Sequence, residues 1–391
     1  MISVKEALNN IFELVAQLEA EQVGLRDANG RILARSVIAK RDQPPFSASA
    51  MDGYAICSKD LDKGVIKWKV IGEAGAGHGF GGYVKSGQAT RIFTGAPMPE
   101  GTDQVIIQEN VKLKNLVITL SQTPNLEKYV RAAGSDFNSG FTLKAPRLLT
   151  PHDVALMAAM NSPTPWVTRK PKIVIIGTGD ELVQPGEQPN DDQIIASNTY
   201  GLAAMLKAAG ATPRLLPIAR DRLTSLEQVF SLIGTADAVI TVGGASVGDY
   251  DFVSQAASNF GMKQSFYKVA MRPGKPLMAG YLRGIPMIGL PGNPVSAMVC
   301  GEVFLIPLIQ KMLGLPAVPR LRKNGQIGHS LPQNGPREHY MRAKLINGSI
   351  FIEDPQDSSL LTVLANADAL AVRPKDDGPL KEGSNIEYIP L

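Results

Sequence analysis

Between residues 170 and 315, short apolar runs alternate with helical segments, and this rhythm restricts the fold more than any other feature of the chain. Residues 173–176, 214–218, 238–242 and 287–290 form brief aliphatic runs, the length of strands rather than helices. Between and after them, residues 199–209 (closed by Gly210), 225–233, 252–260 and 295–312 carry helical patterning. Strand–helix alternation of this kind predicts a doubly wound, mostly parallel sheet with helices on both faces. At 391 residues the chain is too long for one hydrophobic core, so further units are expected around that sheet.

Those units differ in texture. Ser3 and Glu6 make a capping box, and Val4, Leu8, Ile11, Val15 and Leu18 fall on one helical face. Asp27-Ala28-Asn29-Gly30 signals a turn, residues 36–39 a strand, and Pro44-Pro45 an extended linker. From residue 47 to 130, runs at 68–71, 90–93, 104–107 and 116–120 are separated by turn residues without a long helical period, the mark of a small β domain. Helical texture resumes at Thr150-Pro151-His152-Asp153, where Thr150 suits a cap, Pro151 the first helical position and Asp153 the first turn. Pro316 and Pro319 mark an exit linker, and short strands and turns follow. The expected division is an α-containing N-terminal unit (1–46 with 139–168), an inserted β domain (47–138), the α/β domain (169–318) and a C-terminal β domain (319–391).

Composition removes several function classes. Hydrophobic residues at 44% and charged residues at 19% exclude a disordered chain. A net charge of +4 is too thin for a nucleic-acid partner, and Arg320, Arg322 and Lys323 read as a solvated linker. The two cysteines, Cys57 and Cys300, make no disulfide framework, and the four histidines lack metal-ligand spacing. Residues 284–301 are uncharged but hold three prolines, which reads as strand, turn and helix start rather than a membrane span. A cytoplasmic protein is expected.

In an open parallel sheet, ligands bind beyond the carboxyl ends of the strands. The segments there are Gly177-Thr178-Gly179-Asp180-Glu181, then Gly243-Gly244-Ala245-Ser246-Val247-Gly248-Asp249-Tyr250-Asp251, then Pro291-Gly292-Asn293-Pro294. Arg272-Pro273-Gly274-Lys275-Pro276 lies between the last two. Glycines let successive N–H groups converge on an anion. Carboxylates beside them call for a cation, and Mg²⁺ bridges carboxylates and phosphates. Lys268, Arg272 and Lys275 add fixed positive charge, so a phosphate-bearing ligand with Mg²⁺ is expected. The plainer alternatives are helix-start carboxylates for Asp180 and Glu181, and solvated charges for Lys268 and Arg272. Two other patterns fail on context. Residues 77–82 match G-x-G-x-x-G inside the β-rich region, and residues 244–248 match the hydrolase G-x-S-x-G at Ser246, but His329 and His339 lie beyond the proline linker.

Taken in order along the chain, Ser49-Ala50-Met51-Asp52-Gly53-Tyr54-Ala55, Arg91-Ile92-Phe93-Thr94-Gly95-Ala96-Pro97-Met98-Pro99, residues 177–182, residues 243–251, Pro273-Gly274-Lys275-Pro276 and residues 289–294 resemble the MoeA-type molybdopterin molybdenumtransferases, which include the gephyrin E domain. The resemblance implies insertion of molybdate into adenylylated molybdopterin, with Mg²⁺ and release of AMP, by an elongated homodimer whose cleft is shared between subunits. It implies that Asp52, Thr94 and Asp136 act from the partner's side, and that Glu181, Asp221 and Asp251 handle Mg²⁺ and the pterin nucleotide, with Glu181 and Asp251 as metal ligands. Lys268 and Lys275 would bind phosphate or molybdate. Gly177, Thr178, Gly179, Gly243, Gly244, Ser246, Gly248, Pro291 and Pro294 would form the binding loops, and Arg272, Arg337 and Ser358 would face the oxyanion. Transient contacts with molybdopterin adenylyltransferase and with molybdoenzyme acceptors are also implied. Two departures stand out: Arg272 where the family usually has Lys, and Asp357-Ser358-Ser359 where it has Gly-Ser-Gly. Alternative expectations are a molybdopterin adenylyltransferase-like enzyme, since the α/β domain alone resembles one, and a gephyrin-like scaffold.

Overall fold

The computed structural model describes residues 1–122, 127–244 and 252–391, apart from the side chains of 252–255; Ser246, Gly248 and Asp251 lie outside the described residues. The central sheet has six strands: β1 (Lys172–Gly177), β2 (Thr212–Leu215), β3 (Ala238–Val242), β4 (Met262–Tyr267), β5 (Met278–Leu282) and β6 (Ile285–Leu290). Their spatial order is β2-β1-β3-β6-β5-β4. The first four are parallel, and β5 and β4 add an antiparallel edge. Sequence patterning missed this edge because β4 exposes Lys263, Gln264 and Ser265, a polarity that protects a sheet margin and hides the strand.

Helices cover both faces, as expected. Ile173, Ile175, Ile240 and Ile288 pack toward Leu202, Phe304 and Leu308, while Val174, Ile176, Val239 and Met287 pack toward Leu226, Val229 and Phe230. Successive strand residues point to opposite faces, so the buried stretches of β1 and β3 are apolar apart from Thr241. The segment expected as one helix at 295–312 runs as Pro294–Cys300, a π turn at Gly301–Leu305, and Ile306–Met312. Pro307 has no N–H to give the helical ladder, and the wider turn absorbs the break. Pro294–Met312 is long and apolar enough to cross a membrane, yet 72% of its apolar window is buried within the protein. It is a core helix.

At the N-terminus the capping box forms as read: Ser3 N–H donates to the Glu6 carboxylate at 2.8 Å, and Glu6 N–H donates to Ser3 Oγ at 3.2 Å. The helix Val4–Glu13 then stops, so Val15 and Leu18 follow it rather than extend its face. Its apolar side joins the core of the central sheet, and Lys311 Nζ donates to Phe12 O at 2.5 Å. The sequence division grouped this helix with the flanking segments; periodicity says which side is buried, not against what. Strands Ala20–Gln22, Trp166–Thr168, Ile32–Leu33 and Arg147–Leu148 form a separate sheet beside helix Pro151–Ala159, which Thr150 and Asp153 cap reciprocally.

Within the insert, strands Gln104–Ile107, Gly53–Ile56, Gln88–Ile92, Lys67–Ala74, Val117–Leu120 and Val111–Lys114 form a six-stranded sheet in that spatial order. Pro44-Pro45 bends instead of running extended, because Gln43 bridges Phe137 and Pro44 O accepts from Gly134 N–H at 2.9 Å. The chain therefore enters and leaves the insert side by side.

Strands Lys323–Ile327, Glu338–Ile346, Ser349–Ile352, Ala369–Arg373 and Asn385–Pro390 close into a barrel, since Glu338–Ile346 pairs with both Ser349–Ile352 and Ala369–Arg373. Met271–Arg272 adds to it in parallel beside Glu338 and His339 and ties it to the central domain. Arg320 and Arg322 are not a solvated linker. Arg320 pairs with Glu302 at 3.0 Å, and Arg322 with Glu338 at 2.7 Å and Glu387 at 3.0 Å.

Candidate functional site

The loops after β1, β3 and β6 meet at the carboxyl edge of the sheet. Thr178 N–H donates to Val242 O at 2.9 Å, and Gly243 N–H to Leu290 O at 3.1 Å. Gly243 has φ +97°, and a Cβ there would lie 2.5 Å from Thr178 O, so the loops approach this closely only because position 243 is glycine. Gly244 continues this turn with φ +64°. Asn198 Nδ2 donates to Gly292 O at 2.7 Å. Together these loops border a cavity of about 230 Å³ lined by Gly177, Thr178, Glu181, Asn198, Gly292 and Pro294, among others. Pro291 is buried at the end of β6.

Asp180 and Glu181 do not start a helix. They lead into Leu182–Val183, a short strand paired with Ile194–Ile195, so the helix-start alternative fails. Asp221 N–H donates to Asp180 Oδ1 at 3.1 Å. Burial pushes the Asp221 carboxyl up, and the charges of Asp180 and Glu181 push it further, so three acids share one neighbourhood. Arg220 went unnoticed in the sequence. Its guanidinium donates to the carbonyls of Asp180 (2.8 Å), Leu182 (3.0 Å) and Gly179 (3.4 Å), clamping the loop that carries the acids. No motif surrounds Arg220; only the pairing of β2 beside β1 brings it there. Among the described residues, no group of three or more His, Cys, Asp or Glu side chains is arranged to hold a metal ion unaided.

A second cavity, about 560 Å³, opens where the 272–276 loop meets the barrel. Arg272, Lys275, Asn293, Arg337, His339 and Ser358 line it, with Gly274, Ser296, Asp354 and Asp357. Gly274 has φ +102°, and a Cβ would sit 2.5 Å from Cys300 Sγ, so glycine lets this loop press onto the core helix. Asn293 Nδ2 donates to Ser358 Oγ at 3.0 Å, and Val295 N–H to Ser358 O at 3.0 Å. Gly292 and Pro294 border the first cavity while Asn293 lines the second, so the two are neighbours across one loop. Asp357 is less of an obstacle to an anion than its charge suggests. Ser359 donates to its Oδ1 from both Oγ (2.5 Å) and N–H (2.8 Å), and the carboxyl sits below its ordinary range. Arg342, 1% exposed, donates to Asp357 O at 3.0 Å and adds compensating charge.

His339, which the hydrolase pattern needed as a base, lies instead among arginines. Burial first, then Arg272, Arg342, Arg337 and Arg373, push its value down to about 4. Lys268 lines neither cavity. Its φ is +112° and its ammonium sits 5.2 Å from the Tyr267 ring centroid. Asp52, Thr94 and Asp136 also line neither. Asp52 Oδ1 accepts from Thr94 N–H at 2.7 Å and Oγ1 at 2.8 Å, which holds the Asp52 carboxyl below its usual range. Asp136 is exposed and its N–H donates to Gln43 O at 2.9 Å.

A doubly wound core with polar loops over its strand ends, a β insert and a closed barrel together define a class of multidomain α/β protein with cavities at the carboxyl edge of its central sheet. Residues 2–161 match the MoeA N-terminal region (domains I and II), residues 174–311 the probable molybdopterin binding domain, and residues 324–391 the MoeA C-terminal region (domain IV). A molybdopterin molybdenumtransferase of Nostoc sp. is 36% identical, covering 100% of this chain and 94% of its own. One from Mycobacterium tuberculosis is 31% identical, covering 99% of each. The crystal structure of the molybdopterin biosynthesis MoeA protein from Pyrococcus horikosii matches with a TM-score of 0.86 at 27% identity, covering 100% of this chain and 99% of that one. The chain belongs to the molybdopterin molybdenumtransferase family, the MoeA type.

Proposed function

We propose that this chain is a molybdopterin molybdenumtransferase that inserts molybdate into adenylylated molybdopterin and releases AMP. The observation that carries this reading is the adjacency of two unlike cavities across residues 292–294: one bordered by glycine turns and the Glu181 carboxylate, the other by Arg272, Lys275 and Arg337. The first suits a phosphate-bearing pterin nucleotide, which the glycine turns would let approach the sheet edge closely. The second suits a tetrahedral dianion, because guanidinium and ammonium donors match its oxygens.

The acids fit Mg²⁺. They offer only oxygen donors, and Asp221, raised first by burial and then by Asp180 and Glu181, shares its neighbourhood with two further acids whose charge a cation would relieve. Mg²⁺ commonly takes one or two protein carboxylates and completes its shell with substrate phosphate and water, so the want of a ready-made ligand cluster is no obstacle. Glu181 and Asp251 would hold it, and when bound it would polarise the phosphoryl linkage that breaks to free AMP. Arg220 keeps the Glu181 loop in one shape, while Arg272, Lys275, Arg337 and Ser358 orient the molybdate next to the pterin. No protein nucleophile is needed; positioning and electrostatics do the chemistry.

Asp52, Thr94 and Asp136 border neither cavity, and the reading assigns them to the partner's cleft in a homodimer. The reading also includes a cytoplasmic setting and transient contact with molybdopterin adenylyltransferase and molybdoenzyme acceptors. The test is AMP release from adenylylated molybdopterin with Mg²⁺, with and without molybdate. Molybdate-dependent AMP release is expected, and its loss in Glu181→Gln with the fold retained. Release that ignores molybdate, or none at all, overturns the reading.

A further inference from the structure

His339 occupies a position that no part of the proposed reaction uses. It is 9% exposed and lines the arginine-rich cavity. In the barrel register it sits between Arg272 on one neighbouring strand and Arg373 on the other, with Arg342 on its own strand and Arg337 just before that strand begins. Lys275 lies on the cavity wall, and the nearby acids are Asp354 and Asp357. Asp357 is engaged by Ser359, and Arg373 pairs with Asp377 at 2.6 Å. Among the described residues, the His339 ring makes no hydrogen bond. An imidazole so enclosed has free capacity only toward the cavity.

We propose that His339 is a substrate-binding group of this cavity, one that takes up a proton from solution as a tetrahedral oxyanion arrives and donates a hydrogen bond to one of its oxygens. The inference rests on the reading of this cavity as the molybdate site. Without the anion, the surrounding cations disfavour a further positive charge, and the ring stays neutral with one N–H donor. A dianion among the same cations offsets much of their charge, and a protonated ring then offers two charge-assisted donors. Oxyanion affinity is thereby coupled to proton uptake, and it strengthens as pH falls.

The experiment is calorimetric titration of the whole chain with molybdate alone between about pH 6 and 8, the range in which a histidine changes charge. Two buffers of different ionisation enthalpy report the protons taken up. Molybdate is itself a dianion across this range, so the proton belongs to the protein. Expected are uptake of up to one proton and tightening that approaches tenfold per pH unit of acidification. His339→Gln, which keeps an amide donor but cannot titrate, is expected to bind with flat pH dependence and no uptake. His339→Asn serves as the second variant if the first does not fold, and the wild-type proton count needs no variant. Absence of uptake by the wild type, or the same pH dependence in either variant, overturns the role of His339. A separate arm tests the cavity: if Arg337→Ala binds molybdate as tightly as the wild type, the molybdate site lies elsewhere and the proposal falls with it.

Discussion

At the scale of single residues, Gly243 carries the tightest steric demand at the sheet edge. Gly243→Ala would force a side chain into a left-handed backbone and against Thr178 O. A loss of about 2 kcal/mol in denaturant unfolding is expected, together with a larger fall in turnover because the strand-end loops are pushed apart. His339 gives a second residue-level prediction, with a definite sign. Its folded value is about 4 against an ordinary 6.5, so between those values the unfolded chain binds more protons and stability falls as pH falls. The expected loss on going from pH 7 to 4 is about 2 kcal/mol, flattened in His339→Gln and read from urea midpoints. Asp153 and Asp237 titrate in a different window. Their carboxyls are lowered, so their contribution persists until pH drops below the ordinary carboxylate range. Residue types exposed part of this site readily: glycine, acid and lysine in loops after apolar runs point to an anion. Arg220 did not stand out, and His339 did so only as a hydrolase base, because neither lies in an anion-binding motif and each meets its partners through a neighbouring strand.

At the scale of elements, local chemistry was readable wherever it closed within a few residues. Ser3–Glu6 and Thr150–Asp153 are caps spaced three apart, and both form. Strand β3 begins and ends where its apolar run does, because both its faces are buried. Polar β4 and the bend at Pro44-Pro45 depend on what lies beside them, and composition carries little trace of that. The joint between units is one such case. Arg169, just after strand Trp166–Thr168, donates to both Asp237 oxygens at 2.6 and 2.7 Å, and Asp237 also accepts from Lys172 N–H at 2.7 Å. The pair links the N-terminal sheet to the starts of β1 and β3. Asp237→Ala leaves the Arg169 guanidinium with Glu19 as its remaining carboxylate partner and frees the Lys172 N–H. It is expected to cost about 2 kcal/mol and to lower the thermal midpoint while leaving the insert's own sheet folded.

At the scale of the whole molecule, the proposed function draws each cleft from two chains. Asp52 and Thr94 hold each other in the insert, away from the lining of either cavity. Dimers that persist on dilution are expected in sedimentation, and a mixture of Asp52→Ala and Glu181→Gln chains is expected to regain part of the turnover each lacks alone. A fully active monomer would contradict the shared cleft.

The sequence by itself determined the layered α/β core, the β character of the insert and barrel, the helix caps, and the glycine turns with their acids. Each follows from periodicity or steric demand acting within one short stretch. The tertiary structure alone decided where the first helix packs, how the barrel closes, and that Asp180 meets Asp221 while Arg272, His339 and Arg373 lie on adjacent strands. Charges far apart in the chain acquire a common field only when strand pairing brings them within a few ångströms, and no local pattern encodes that pairing.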